Sequence, residues 1–78
     1  MKIQLKYKDQ FNEHIELDGE MKVRAVAERF IKQLGVNKHH KLFKNGKGLD
    51  GNQTLYKAGV VSGDTLELMS GMAGGTNI

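Results

Sequence analysis

The residues best suited to chemistry close the chain: Ser70-Gly71-Met72-Ala73-Gly74-Gly75-Thr76-Asn77-Ile78. Glycine has no Cβ, so the pair Gly74-Gly75 can be drawn extended through an enzyme cleft too narrow for any side chain. From Met69 to Gly75 an extended chain reaches roughly 20 Å at about 3.3–3.6 Å per residue, enough to leave a folded body and enter a partner's active site. The chemistry on offer is that of a carboxylate at Gly75, freed when the Gly75–Thr76 bond is cut and Thr76-Asn77-Ile78 leaves. Small, polar residues also make ordinary frayed termini. The tail therefore gains meaning only from the chain before it.

Little other chemistry is encoded. The chain has no cysteine, which excludes a disulfide framework, a thiolate metal site and a cysteine nucleophile. Adjacent histidines His39 and His40 point apart in extended chain, His14 is distant, and no carboxylate stands at ligand spacing, so solvated loop histidines are expected rather than a metal site. Gly46-Lys47 lacks the upstream glycine and the following Ser or Thr of a phosphate loop. No Ser/His/Asp arrangement emerges. The chain is not expected to be an enzyme or to carry a cofactor.

A net charge of +3 over 78 residues raises the question of nucleic acid. The basic residues are interleaved with acids, and two tyrosines with three phenylalanines leave little for base stacking. Lys22, Arg24, Arg29 and Lys32 read as a solvated helix face, with docking to an acidic enzyme surface as the alternative. No apolar run is long enough for a membrane span or a signal-peptide core. A monomer in a reducing cytoplasm, without nucleic acid or membrane among its partners, is expected.

The elements that must position the tail follow from periodicity. Met1, Ile3, Leu5 and Tyr7 alternate with Lys2, Gln4, Lys6 and Lys8, the period of a half-buried strand. Asp9 to Asn12 supplies a turn, and Ile15 and Leu17 continue inward on a second strand. From Lys22 the period changes: Val23, Val26, Ala27, Phe30, Ile31 and Leu34 form one helical stripe, with Gly35 placed to cap its C-terminus. On the wet side Glu28 can pair with Arg24 or Lys32. Lys41 to Lys44 predicts a short strand, Asn45-Gly46 a tight hairpin turn, and Lys47 to Leu49 a stubby return. Thr54 to Gly59 reads as a short turn or a single helical turn and Ser62-Gly63-Asp64 as another turn. Thr65 to Met69 alternates again, with Leu66 and Leu68 inward. Strands on both sides of one amphipathic helix imply an α+β fold, a curved sheet laid over the helical stripe in a β-grasp.

With that order in hand, the chain resembles the ubiquitin family over essentially its full length. The resemblance is carried by the opening Met1-Lys2-Ile3-Gln4-Leu5-Lys6, by the stretch from Leu42 through Asn45-Gly46-Lys47-Gly48-Leu49 to Thr54-Leu55, and by Thr65-Leu66-Glu67-Leu68 running on to Gly74-Gly75. It implies a body over residues 1–69 and a flexible tail over 70–78. It further implies that Gly75 becomes the terminus once a protease removes the extension, and that an ATP-dependent activating (E1-like) enzyme adenylates its carboxylate. A conjugating (E2-like) enzyme would then pass the chain to target proteins. Departures point to a divergent modifier and not to ubiquitin itself; that it is of the bacterial kind is an expectation from the family resemblance and not from any residue. The tail lacks the basic residues that ubiquitin carries ahead of its diglycine. Phe43 and Glu67 stand where ubiquitin has an isoleucine and a histidine, and Ala58 replaces a buried tyrosine.

If Leu42 and Leu68 point inward, Phe43 and Met69 point out, because neighbouring strand residues face opposite sides. With Glu67 they are the candidate partner-binding patch, in the region of the family's main recognition surface. Two other functions use the same fold: a sulfur carrier with a C-terminal thiocarboxylate, and an interaction module that is never conjugated.

Overall fold

The computed structural model describes residues 1–70, apart from the side chains of residues 11–14. Strand β1 (Lys2–Tyr7) buries Ile3 and Leu5, each 1% exposed. It pairs antiparallel with β2 (Gln10–Glu16). The turn between them is tighter than the expected Asp9–Asn12 segment, because Lys8 takes a left-handed conformation (φ 56°) and the chain reverses within Lys8 and Asp9. A bulge between Ile3 and Leu5 then shifts the register, so that Ile3 faces Ile15 while Leu5 faces Asn12.

The helix, α1 (Val23–Leu34), buries Val23, Val26, Ala27 and Phe30, with Ile31 and Leu34 packed at the edge of the same core. Its N-cap, Lys22, makes no side-chain cap. Instead the loop at 50–53 supplies backbone carbonyls: Val23 N–H donates to Gln53 O at 2.8 Å and Arg24 N–H to Gly51 O at 3.0 Å. Two N–H groups that a helix start leaves unpaired are thereby satisfied. At the other end Gly35 (φ 71°) donates its N–H to Ile31 O, the C-cap expected of glycine. The expected Glu28 ion pairs do not form among the described residues. The Arg24 guanidinium reaches across to Asn52 Oδ1 at 2.7 Å, because the capping loop lies beside the first turn.

Strand β3 (His40–Lys44) and the two-residue β4 (Lys47–Gly48) flank Asn45 and Gly46, whose φ values of 54° and 79° match the turn signal read from Asn-Gly. Leu49 falls outside β4, yet its N–H still donates to Leu42 O. His39 is exposed, but His40 opens β3 rather than lying in a loop. Its Nδ1 stands 3.0 Å from Asn37 O, and its ring lies 5.8 Å from that of Tyr7. Thr54–Gly59 forms a turn, as expected, closed by Ala58 N–H on Thr54 O.

The last strand, β5 (Thr65–Ser70), lies in the middle of a five-stranded sheet of order β2-β1-β5-β3-β4. It is parallel to β1 and antiparallel to β3. Leu66 and Leu68 point into the core with Leu42, Leu55, Val60 and Phe30. One mixed sheet over one helix is the β-grasp architecture.

Candidate functional site

The core side of the sheet is fixed by its leucines, and that choice determines what the other side displays. Lys6 faces Glu67 across the parallel β1–β5 pair, Glu67 faces Phe43 across β5–β3, and Phe43 faces Gly48 on β4. These four form one row across the outer face. Lys41 and Met69 form the start of the next, placing Met69 diagonal to Phe43. The structure therefore gathers Phe43, Glu67 and Met69 on one surface, each half-buried. The Phe43 ring lies over Gly48, where an added Cβ would stand 3.4 Å from ring carbon Cε2.

Lys6 is a member of this face that reasoning from residue types missed. Its Nζ lies 3.9 Å from Glu67 Oε2, with both side chains partly exposed. The signal was available only through the parallel register of β1 on β5, which alternation alone does not supply.

What holds β5 in place is a second feature, Lys44 and Asp64. Lys44 projects from the core side of β3, and its Nζ donates to Gly59 O at 2.7 Å and pairs with Asp64 Oδ2 at 2.8 Å. The same carboxylate oxygen accepts Val61 N–H at 2.8 Å. Partial burial works against ionisation of Asp64, but the Lys44 hydrogen bond, the Val61 N–H and the lysine charge outweigh it and hold the carboxyl below its ordinary value. The clamped loop is stitched to β1 through Gly63 N–H on Lys2 O and Gln4 N–H on Asp64 O. Those bonds set the register in which β5 begins.

Ser70, the last described residue of β5, the strand at the centre of the sheet, stands directly opposite His40. Gly74, Gly75 and Thr76 lie outside the described residues. Among the described residues no group of three or more His, Cys, Asp or Glu is placed to hold a metal ion, and no helix is long and apolar enough to cross a membrane.

No protein-family model matches the chain, and no curated protein matches it in sequence. Solved structures do match its fold. The ubiquitin of Caldiarchaeum subterraneum superposes with a TM-score of 0.79 at 24% identity, covering 90% of this chain and 91% of that one. The N-terminal ubiquitin-like domain of the 4931431F19Rik protein gives 0.79 at 22% identity, covering 90% and 73%. ATBAG1, solved in complex with HSP70, gives 0.76 at 18% identity, covering 90% of this chain but 40% of that one. The fold is a ubiquitin-like β-grasp.

Proposed function

We propose that this chain is a ubiquitin-like protein modifier, cut after Gly75 and joined through the Gly75 carboxylate to amines of target proteins. The observation that carries the reading is the place of β5: a ubiquitin-like body has Thr65–Ser70 as the middle strand of its sheet, and the sequence continues from there through Gly71 to the diglycine Gly74-Gly75. The likeness to Caldiarchaeum subterraneum ubiquitin over nearly the whole of both chains supports a body of the same proportions.

In this reading the chain is an acyl donor and does no catalysis. A free carboxylate is a poor donor, so an E1-like enzyme activates it with ATP: a carboxylate oxygen attacks the α-phosphate and pyrophosphate leaves. An enzyme thiol then displaces AMP, and a target amine displaces the thiol, which divides one difficult acylation into easier steps. An E2-like enzyme and a processing protease complete the set of partners. The face of Phe43, Glu67 and Met69 serves to dock them, since apolar residues gathered on an outer surface mark binding sites.

Intact-mass analysis of the protein recovered from its native host tests the reading. Loss of Thr76-Asn77-Ile78 together with Gly75 adducts on lysine is the expected result. A sulfur-for-oxygen terminus at Gly75 would make the chain a sulfur carrier instead. Retention of all three residues in every species would leave only the unconjugated interaction module.

A further inference from the structure

The basic face of α1 has no part in the reading above, and it lies on the opposite side of the molecule from Phe43 and Met69. Between α1 and β3 the surface is hollowed into a cleft of about 420 Å³. Ala27, Ile31, Leu42 and Leu49 line it with apolar atoms, while Arg24 and Lys38 stand along its walls. A second hollow continues along the helix toward Gly35, sharing Glu28, Ile31 and Lys38 with the first and adding Arg29, Lys32 and Val36. From Arg24 to Gly35 the helix advances about 16 Å at 1.5 Å per residue. That length accommodates about five residues of extended chain at roughly 3.3 Å each.

The two acids in the groove do not balance its bases. Asp50 Oδ1 already accepts Asn52 N–H at 2.9 Å, and Arg24 is held by Asn52 Oδ1. None of Arg29, Lys32 and Lys38 forms an ion pair among the described residues. Glu28 alone faces them from the helix. Among the described residues the neighbouring edge of the sheet is open as well, because β4 pairs only with Phe43 and Lys44 and leaves His40 and Lys41 without a strand on that side. Among the described residues no Phe, Tyr or Trp lines either hollow, which gives a nucleic-acid base no such ring to stack on.

We propose that this groove docks an extended, acidic segment of a partner protein, with aliphatic side chains seated over Ile31 and Leu42 and carboxylates facing Arg29, Lys32 and Lys38. The segment lies beside the open edge of β3, where strand addition supplies backbone hydrogen bonds. The inference is independent of the tail and of conjugation.

The test is an amide-resolved NMR titration of the full chain with capped six-residue peptides that alternate glutamate with leucine, isoleucine or valine. The expected result is saturable shifts at Ile31, Lys38, His40, Leu42 and Leu49. Replacing glutamate by lysine in the peptides, or making the Lys32→Glu and Lys38→Glu double variant, should weaken binding by about tenfold or more. Both substitutions fall on exposed side chains, and an unchanged amide spectrum elsewhere verifies the fold. Several results would overturn the proposal: no shifts at millimolar peptide, shifts confined to the Phe43 and Met69 face, or equal binding of the lysine peptides. Equal or tighter binding of a single-stranded oligonucleotide at the same amides would do so too, and would make the groove a nucleic-acid site.

Discussion

Two contacts decide the behaviour of single side chains. Asp64 is held ionised by Lys44 and by Val61 N–H, so its carboxyl titrates below the ordinary aspartate value of about 3.9. A carboxyl with a depressed folded pKa adds stability that is fully present above the unfolded value and vanishes as pH falls through the folded one. Asp64→Asn should therefore cost about 1–2 kcal/mol at neutral pH. In urea titrations repeated across pH, the gap between variant and parent should close in acid; a gap independent of pH would contradict the clamp. The second contact is steric. A Cβ at Gly19 would collide with the Tyr56 ring, and the Tyr56 backbone N–H also donates to Gly19 O. Gly19 has no left-handed φ, so the ring is the obstacle, and Tyr56 is 58% exposed and free to swing outward. Gly19→Ala should cost about 1 kcal/mol in the parent and much less in a Tyr56→Ala background. Equal cost in both backgrounds, measured by thermal melts, would place the constraint elsewhere.

Among the elements, α1 carries the core. Phe30 is 2% exposed beneath the sheet, and Phe30→Ala should cost about 3–5 kcal/mol through lost burial and the cavity left behind. A domain of this size holds roughly 4–12 kcal/mol in total, so the variant should be largely unfolded at modest urea. The helix and the β3–β4 hairpin were legible because their signals are local: a period of 3.6, a terminal Gly35, and Asn45-Gly46 between apolar runs. The reversal at Lys8 was not, since lysine carries no mark of a left-handed φ. Nor was the capping of α1, because the groups that perform it are backbone carbonyls of Gly51 and Gln53, which any residue possesses. Alternation sufficed to put Phe43 and Met69 on the outer face. It could not bring Lys6 to Glu67 or seat His40 in a strand, because both depend on how β5 is paired with its two neighbours.

At the scale of the molecule, body and tail should separate cleanly under mutation. Gly75→Ala is expected to leave the thermal melt unchanged while abolishing adenylation, read as loss of ATP–pyrophosphate exchange with the cognate activating enzyme. Unfolding by that substitution would instead make the tail part of the body. Phe43→Ala should weaken partner docking by about 1–2 kcal/mol, in the range of an interface residue of moderate weight, and leave adenylation intact.

The parallel seating of β5 beside β1 also governs how the body bears load. A pull applied between Lys2 and Ser70 runs along both strands, so the rungs joining Gln4 to Thr65, Leu5 to Leu66 and Lys6 to Glu67 are strained in shear and must fail together. A pull between His40 and Ser70, which face each other at the end of an antiparallel pair, opens its rungs one after another like a zip. In single-molecule tension experiments the first geometry should rupture at markedly higher force than the second. A body tethered through its last strand is thus toughest when tugged from opposite ends of that central pair.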